Sequence, residues 1–253
     1  MTVTHRLVTW TIKVLTGLLC RIDAEQLARV PERGPLILVT NHVNFLDVPI
    51  LYTRLWPRPV TAFAKAETWD TPGLRFLAEL WGAIPIHRGE ADLTALRQGL
   101  AVLEAGYILA VAPEGTRSGH GRLQRGHPGV VFLALQSGAP LLPLVFYGAE
   151  NYRRDWARLR RAGFHIVVGR PFHLRAEGVR VTREVRQQMT DEIMYQLAAL
   201  LPPAYRGYYA NLDAASQTYL RFLPSARSEI LHAQRHEIMS KTPEEVQRSE
   251  ALL

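Results

Sequence analysis

Short apolar runs alternate with stretches of helical period from Pro31 to Pro203, and that alternation leaves few architectures open. Leu36–Thr40 follows a Pro/Gly break and reads as a buried strand. Val60–Ala64, Ala83–His87, Tyr107–Ala112, Leu141–Tyr147 and Phe164–Val168 read the same way. Between them, helices are expected over Asp47–Leu55, Gly73–Trp81, Leu93–Glu104, Pro128–Gln136 and Thr182–Leu201. Asp47 is the expected cap of the first, with Pro49 tolerated in its opening turn. Gly106 and Gly138 supply stop signals for two others. The expected fold is α/β: a central mixed, largely parallel sheet flanked by helices.

The chain divides on this reading into a segment 1–30, a core domain 31–203 and a polar, helix-like tail 204–253. Thr242-Pro-Glu-Glu245 has a capping-box arrangement before a last short helix. With 253 residues, 47% of them hydrophobic and 21% charged, the chain has material for a packed core. The single cysteine, Cys20, excludes an intramolecular disulfide and a Cys-rich zinc site, and no metal-ligand cluster is legible.

In the first segment, Leu7, Val8, Ile12, Leu15, Leu18, Leu19 and Ile22 share one broad helical face. Thr9, Lys13, Thr16 and Cys20 lie opposite, with Trp10 at the flank. Lys13 interrupts the apolar run and no small-residue cleavage site follows, which argues against an export signal. The run is too short and too charged to span a bilayer. An amphipathic helix at the membrane interface is expected, and a helix packed on the domain has the same pattern.

Net charge is +7, and between Arg153 and Arg186 ten arginines stand against Asp155, Glu177 and Glu184. That local surplus equals the charge of the whole chain. No base-reading motif or aromatic RNA platform accompanies it, which excludes nucleic acid as a partner. An anionic membrane surface or an anionic carrier is expected instead, and an ordinary solvated face fits as well.

Three segments carry chemistry. Asn41-His-Val-Asn-Phe-Leu-Asp47 sits where a buried strand ends. On one continuous helix His42 and Asp47 would point roughly 140° apart, so they meet only if the chain turns between them. The strand–turn–helix reading supplies that turn. The carboxylate then fixes one imidazole nitrogen, and the other is free to take a proton from a hydroxyl. A capping Asp beside an unrelated loop His has the same spacing.

The second segment, Gly82–Gly89, delivers His87 and Arg88 at the edge where parallel strands end. An arginine there can fork onto phosphate, and it can equally be a surface residue. The third, Ala112-Pro-Glu-Gly-Thr-Arg-Ser118, opens a glycine-rich loop. Its backbone N–H groups with Thr116, Arg117 and Ser118 can cradle an anion. Arg122 and Arg125 add positive charge, whereas Glu114 would hold Arg117 or a substrate hydroxyl. The bland reading of this loop is a connector.

In this order the segments resemble those of the membrane-associated glycerolipid acyltransferases, the 1-acylglycerol-3-phosphate acyltransferase group. Asn41, His42 and Asp47 match that family's His–four residues–Asp motif, and Gly82 to Arg88 its second block. Pro113-Glu-Gly-Thr-Arg-Ser118 matches its most recognisable block, and Ala139-Pro-Leu-Leu-Pro143 looks like its fourth. The family usually has Ser where Asn44 stands and often an aromatic where Ala112 stands.

The resemblance implies transfer of a fatty acyl group from acyl-CoA or acyl carrier protein to the free hydroxyl of a lysophospholipid, with 1-acylglycerol-3-phosphate first among acceptors. It implies His42 as general base and Asp47 as its orienter. Arg88, Glu114, Gly115, Thr116 and Arg117 would bind the substrate phosphate, with Asn41, Asn44, Ser118 and Pro143 in support. No bound cofactor is required beyond the thioester co-substrate. The expected place is peripheral or monotopic on the cytoplasmic face of the cell membrane. Glycerol-3-phosphate, another lysophospholipid or a lipid alcohol are alternative acceptors. A lipid hydrolase and a silent lipid-binding protein are the readings from other classes.

Overall fold

The computed structural model describes residues 2–87, 92–223 and 233. A nine-stranded sheet organises them. Its centre is five parallel strands, β2 (Leu36–Thr40), β3 (Val60–Lys65), β4 (Ile84–Ile86), β5 (Ile108–Val111) and β6 (Leu141–Tyr147). They lie in the spatial order β6-β2-β5-β3-β4. Helices α2 (Asp47–Leu55), α3 (Pro72–Leu80), α4 (Leu93–Glu104) and α5 (Gly129–Ser137) make the crossovers. Beyond β6 the sheet turns mixed, because β7 (Ala162–Val168) and β8 (Phe172–Leu174) pair with it antiparallel.

Both faces of the sheet are covered, and the alternation of side chains along each strand decides which residue faces which layer. Ile37, Val39, Leu109, Val111, Leu141 and Val145 face one layer with Leu133, Ile193 and Leu197 of the helices. Their neighbours Leu36, Leu38, Ile108, Ala110, Leu142, Leu144 and Phe146 face the other with Ile50, Leu51 and Tyr52. Each buried aliphatic side chain contributes roughly 1.5–3 kcal/mol by leaving water, so the sheet interior dominates stability. Helix α7 (Arg183–Leu200) closes the first layer, and α1 (Val3–Leu19) packs against α2 in the second.

The sequence reading set 1–30 apart, but the sheet does not stop at 31. Immediately after α1, β1 (Cys20–Asp23) pairs in parallel with β7 from Cys20↔Ala162 to Asp23↔His165. Ile22 therefore belongs to a strand, not to the helical face. Four residues joined to a helix without a breaker leave no signal of their own. The boundary at 203 moves likewise, since β9 (Leu220–Phe222) pairs with β8. From Pro203 to Ala214 the tail runs in 3-10 turns, not α-helices. The expected helix near Thr242 lies outside the described residues. A six-residue helix, α6 (Tyr152–Ala157), precedes β7 and was also missed.

Helix α1 is turned opposite to a soluble amphipathic helix. Thr9 is 3% exposed and Thr16 7%, both against the domain, whereas Leu18 is 65% exposed. The buried hydroxyls are satisfied: Thr16 Oγ1 donates to Ile12 O at 2.8 Å, and Trp81 Nε1 donates to Thr9 Oγ1 at 3.4 Å. Val3, Leu7, Trp10, Val14, Leu15 and Leu18 point outward. Ile12, expected on that outer face, packs instead with the α2 layer. No helix among the described residues is long and apolar enough to cross a membrane.

The arginine-rich stretch does not form one patch. Arg161 caps the end of α1, its guanidinium donating to Gly17 O at 2.6 Å and Cys20 O at 2.7 Å. Arg175 follows β8, which pairs with the first residue of β6, and Arg183 and Arg186 lie in the first turn of α7.

Candidate active site

The carboxyl ends of the parallel strands place the reactive side chains side by side, as open α/β sheets do. His42 leaves β2, and Pro113-Glu-Gly-Thr-Arg-Ser118 leaves β5, the strand hydrogen-bonded beside it. Two backbone bonds sew the loops together: Ser118 N donates to His42 O at 2.8 Å, and Gly119 N to Val43 O at 3.0 Å.

The turn between His42 and Asp47 is closed by the aspartate itself. Asp47 Oδ2 accepts from Val43 N at 2.7 Å, from Asn44 N at 2.9 Å and from His42 Nδ1 at 2.8 Å. Asp47 is thus not the cap of α2, as expected. It stands in the first turn, and its carboxylate reaches back over the preceding loop. His42 then carries its proton on Nδ1, because the carboxylate accepts there and Arg117 Nε donates to Nε2 at 3.3 Å. That tautomer leaves the Nε2 lone pair as the basic site.

Arg117 is exposed, and its guanidinium also lies 5.8 Å from the centre of the Phe45 ring. Phe45 was not singled out in the sequence; an aromatic two residues before Asp47 was its only signal. Gly115 and Thr116 are exposed on the same loop as Arg117, with Gly115 in the left-handed region at φ 68°.

Glu114 does not belong with them. It is 3% exposed and makes no surface toward a substrate. Oε1 accepts from His42 N at 3.0 Å and Oε2 from Gln124 N at 2.8 Å, so it clamps the His42 loop to the glycine-rich one. Burial pushes its pKa up to about 7, against the lowering effect of those two bonds, and Asp47 nearby pushes the same way.

The supporting residues resolve into separate tasks. Asn41 bridges two strand ends, donating to Phe146 O and accepting from Phe146 N, each at 2.8 Å. Asn44 donates to Ala149 O at 2.9 Å and accepts from Leu46 N at 2.8 Å, which fixes the turn. Ser118 Oγ accepts from Gly121 N at 3.1 Å. Pro143 is no part of this cluster. It lies inside β6, opposite Val39, where the partner of β6 changes from β8 to β7. Its carbonyl accepts from Gly169 N at 2.8 Å, and the N–H that proline lacks falls on that same side, in the gap between the two partners. His87 follows β4, its Nδ1 3.3 Å from Asp92 Oδ2, while Arg88 lies outside the described residues.

The tail underpins the glycine-rich loop. Leu123 N donates to Tyr205 O at 3.0 Å and Tyr208 N to Leu123 O at 2.9 Å. Tyr209 Oη accepts from Gly126 N at 3.0 Å and donates to Asp191 Oδ1 at 2.8 Å. Among the described residues no group of three His, Cys, Asp or Glu is placed to hold a metal ion.

The family described as Acyltransferase matches residues 21–147, half of the chain, which includes His42, Asp47, Glu114 and Arg117. The chain belongs to the acyltransferase family. Within it, the lyso-ornithine lipid O-acyltransferase of Pseudomonas aeruginosa is 36% identical over 124 residues, 49% of this chain and 45% of that one. The 1-acyl-sn-glycerol-3-phosphate acyltransferase of the same organism is 24% identical over 201 residues, 78% of this chain and 76% of that one. The chain therefore spans less than half the length of the first relative and about three quarters of the second. Its fold is also that of PlsC, the 1-acyl-sn-glycerophosphate acyltransferase of Thermotoga maritima, with a TM-score of 0.54, 20% identity and coverage of 75% and 77% of the two chains.

Proposed function

We propose that this acyltransferase moves a fatty acyl group from a thioester, acyl-CoA or acyl carrier protein, to the free hydroxyl of a lysophospholipid at a membrane surface. The observation that carries the reading is the His42 Nδ1–Asp47 Oδ2 contact at 2.8 Å with Nε2 turned to the exposed side of the loop. His42 Nε2 takes the hydroxyl proton as the oxygen attacks the thioester carbonyl, and Asp47 stabilises the imidazolium that forms. Collapse of the tetrahedral intermediate breaks the C–S bond, and the imidazolium returns the proton to the departing thiolate. Because the lipid hydroxyl is itself the nucleophile, no acyl-enzyme is needed.

The acceptor we favour is 1-acylglycerol-3-phosphate. Arg117, exposed beside the base together with the Gly115 and Thr116 backbone, offers a cation and N–H groups where a phosphate would sit one glycerol carbon from the reacting hydroxyl. A second acceptor, lyso-ornithine lipid, stands beside it: the relative named for that lipid is 36% identical over 124 residues, while a 1-acyl-sn-glycerol-3-phosphate acyltransferase is 33% identical over 130. The outward apolar face of α1 supports a peripheral or monotopic seat on one leaflet, which we read as the cytoplasmic one.

The test is transfer of labelled acyl groups from each donor to a panel of lysolipids in micelles, with wild type and His42→Ala in parallel. Labelled phosphatidic acid formed only by wild type supports the reading. Turnover of lyso-ornithine lipid alone changes the acceptor and keeps the mechanism. Free fatty acid as the only product, or activity that survives His42→Ala, overturns it.

A further inference from the structure

Between α6 and β7 the chain makes a tight tip, Arg158-Leu159-Arg160. Leu159 is 98% exposed and has φ 54°, the one non-glycine residue in the left-handed region among those described. A leucine is strained there and gains nothing from packing, so neither folding nor solubility accounts for it. The tip is nonetheless rigidly built. Arg158 N and Arg160 N donate to Asp155 O at 3.0 and 2.8 Å, and Leu159 N to Trp156 O at 2.9 Å. Arg153 and Arg154 on α6 are exposed together with Arg158 and Arg160.

The tip is fastened to α1. Trp156 Nε1 donates to Leu19 O at 3.0 Å, and Arg161 holds the carbonyls of Gly17 and Cys20. Strand pairing then says where it lies. β7 runs antiparallel to β6 with Tyr147 opposite His165, so Ala162 and the residues before it lie beyond the carboxyl end of β6. That is the edge on which His42 and Arg117 stand. Beside the end of α1, at the catalytic edge, a fully exposed leucine thus stands between Arg158 and Arg160, with Arg153 and Arg154 exposed on the helix before it.

We propose that residues 153–160 form a second membrane anchor, in which Leu159 enters the hydrocarbon boundary and Arg153, Arg154, Arg158 and Arg160 bind the phosphates of anionic lipids. It rests on the bilayer-facing reading of α1 given above and adds what that reading lacks, a contact at the catalytic edge. An apolar tip between cations is the pattern of an interfacial anchor, which draws on apolar insertion and on the negative surface potential together. An acidic carrier protein would use the arginines and leave the leucine without a role.

The experiment is binding of the full chain to phosphatidylcholine vesicles with and without phosphatidylglycerol. Leu159→Gly removes the apolar tip and relaxes the backbone, so it keeps the fold; affinity for both vesicles is expected to fall on the order of tenfold. Arg158→Ser with Arg160→Ser should lower affinity roughly 30-fold on the anionic vesicles and barely on the neutral ones. Leu7→Asp with Leu18→Asp on α1 is a separate arm. Loss in that arm with unchanged binding in the two tip variants overturns the tip and leaves α1 standing. Failure of wild type to bind vesicles overturns both. Unchanged vesicle binding with a raised KM for acyl carrier protein overturns the proposal in favour of a protein partner.

Discussion

Arg117 Nε donates to His42 Nε2 across 3.3 Å, so the nitrogen proposed to take the substrate proton is already occupied by a guanidinium. The contact holds the imidazole in its working tautomer and blocks it at once. A phosphate offers Arg117 a stronger, charge-assisted bond than a neutral nitrogen does. On the proposed function, binding of a phosphate-bearing acceptor is expected to draw Arg117 away and open His42 to the hydroxyl.

Replacing Arg117 by Ala is expected to raise KM for lysophosphatidate roughly 10- to 100-fold, the range of a lost charge-assisted bond of about 1.5–3 kcal/mol. kcat should change far less. Steady-state kinetics over acceptor concentration checks this. A fall in kcat at constant KM would instead put Arg117 on the transition state.

Asp47→Asn can keep an oxygen facing Val43 N and Asn44 N while it removes the charge that supports the imidazolium. We expect kcat to drop roughly 10²- to 10⁴-fold with the fold retained. Asp47→Ala leaves two buried backbone N–H groups without an acceptor, at about 1–3 kcal/mol each, so it should unfold earlier as well as lose activity. Parallel thermal melts and rate assays separate the two. Equal melting temperatures in Asn and Ala variants would show that Asp47 does not close the turn.

Glu114 makes stability depend on pH. Its carboxyl has a pKa of about 7 in the folded protein against an ordinary 4.5, so the folded state binds the extra proton. The stabilisation that this proton brings is complete below pH 4.5 and is lost as pH rises through about 7. The full difference is about 3 kcal/mol at 1.36 kcal/mol per unit. Glu114→Gln cannot titrate. Urea denaturation of both proteins at pH 5 and pH 8 should show this loss with rising pH in wild type and not in the variant. Parallel pH profiles would contradict the burial assigned to this carboxyl.

Gly207→Ala is expected to destabilise by several kcal/mol. A Cβ there would lie 2.2 Å from Leu123 O and 2.9 Å from Leu123 N, on a backbone with φ 52°. Denaturant midpoints read the effect. Gly178 is the control: it also has positive φ, at 71°, yet its added Cβ meets nothing within 4 Å, so Gly178→Ala should cost about 1 kcal/mol.

The centre of the parallel core was legible because β2, β5 and β6 are apolar on both faces and are followed by a Gly, Pro or polar break. Leu36–Thr40, Asp47–Leu55, Leu93–Glu104 and Leu141–Tyr147 fall where periodicity puts them. β8 and β9, three residues each, are too short to carry a period, and α6 is a single short stretch of six residues, half of them charged. Within the site, the meeting of His42 and Asp47 followed from spacing plus a turn. The place of Glu114 did not, because a carboxylate that faces a ligand and one that ties two loops beneath it look the same in sequence. Only burial separates them. The outward face of α1 was half read: the apolar stripe was visible, but that Ile12 turns inward depends on α2.

Residues 21–147 hold His42, Asp47, Glu114 and Arg117, yet the floor under Leu123 and Gly126 is laid by Tyr205, Tyr208 and Tyr209. The inherited signature and the mechanical unit are therefore different lengths of chain. Grafted alone onto another scaffold, the signature would take the chemistry along and leave behind the far segment that keeps its loop in shape.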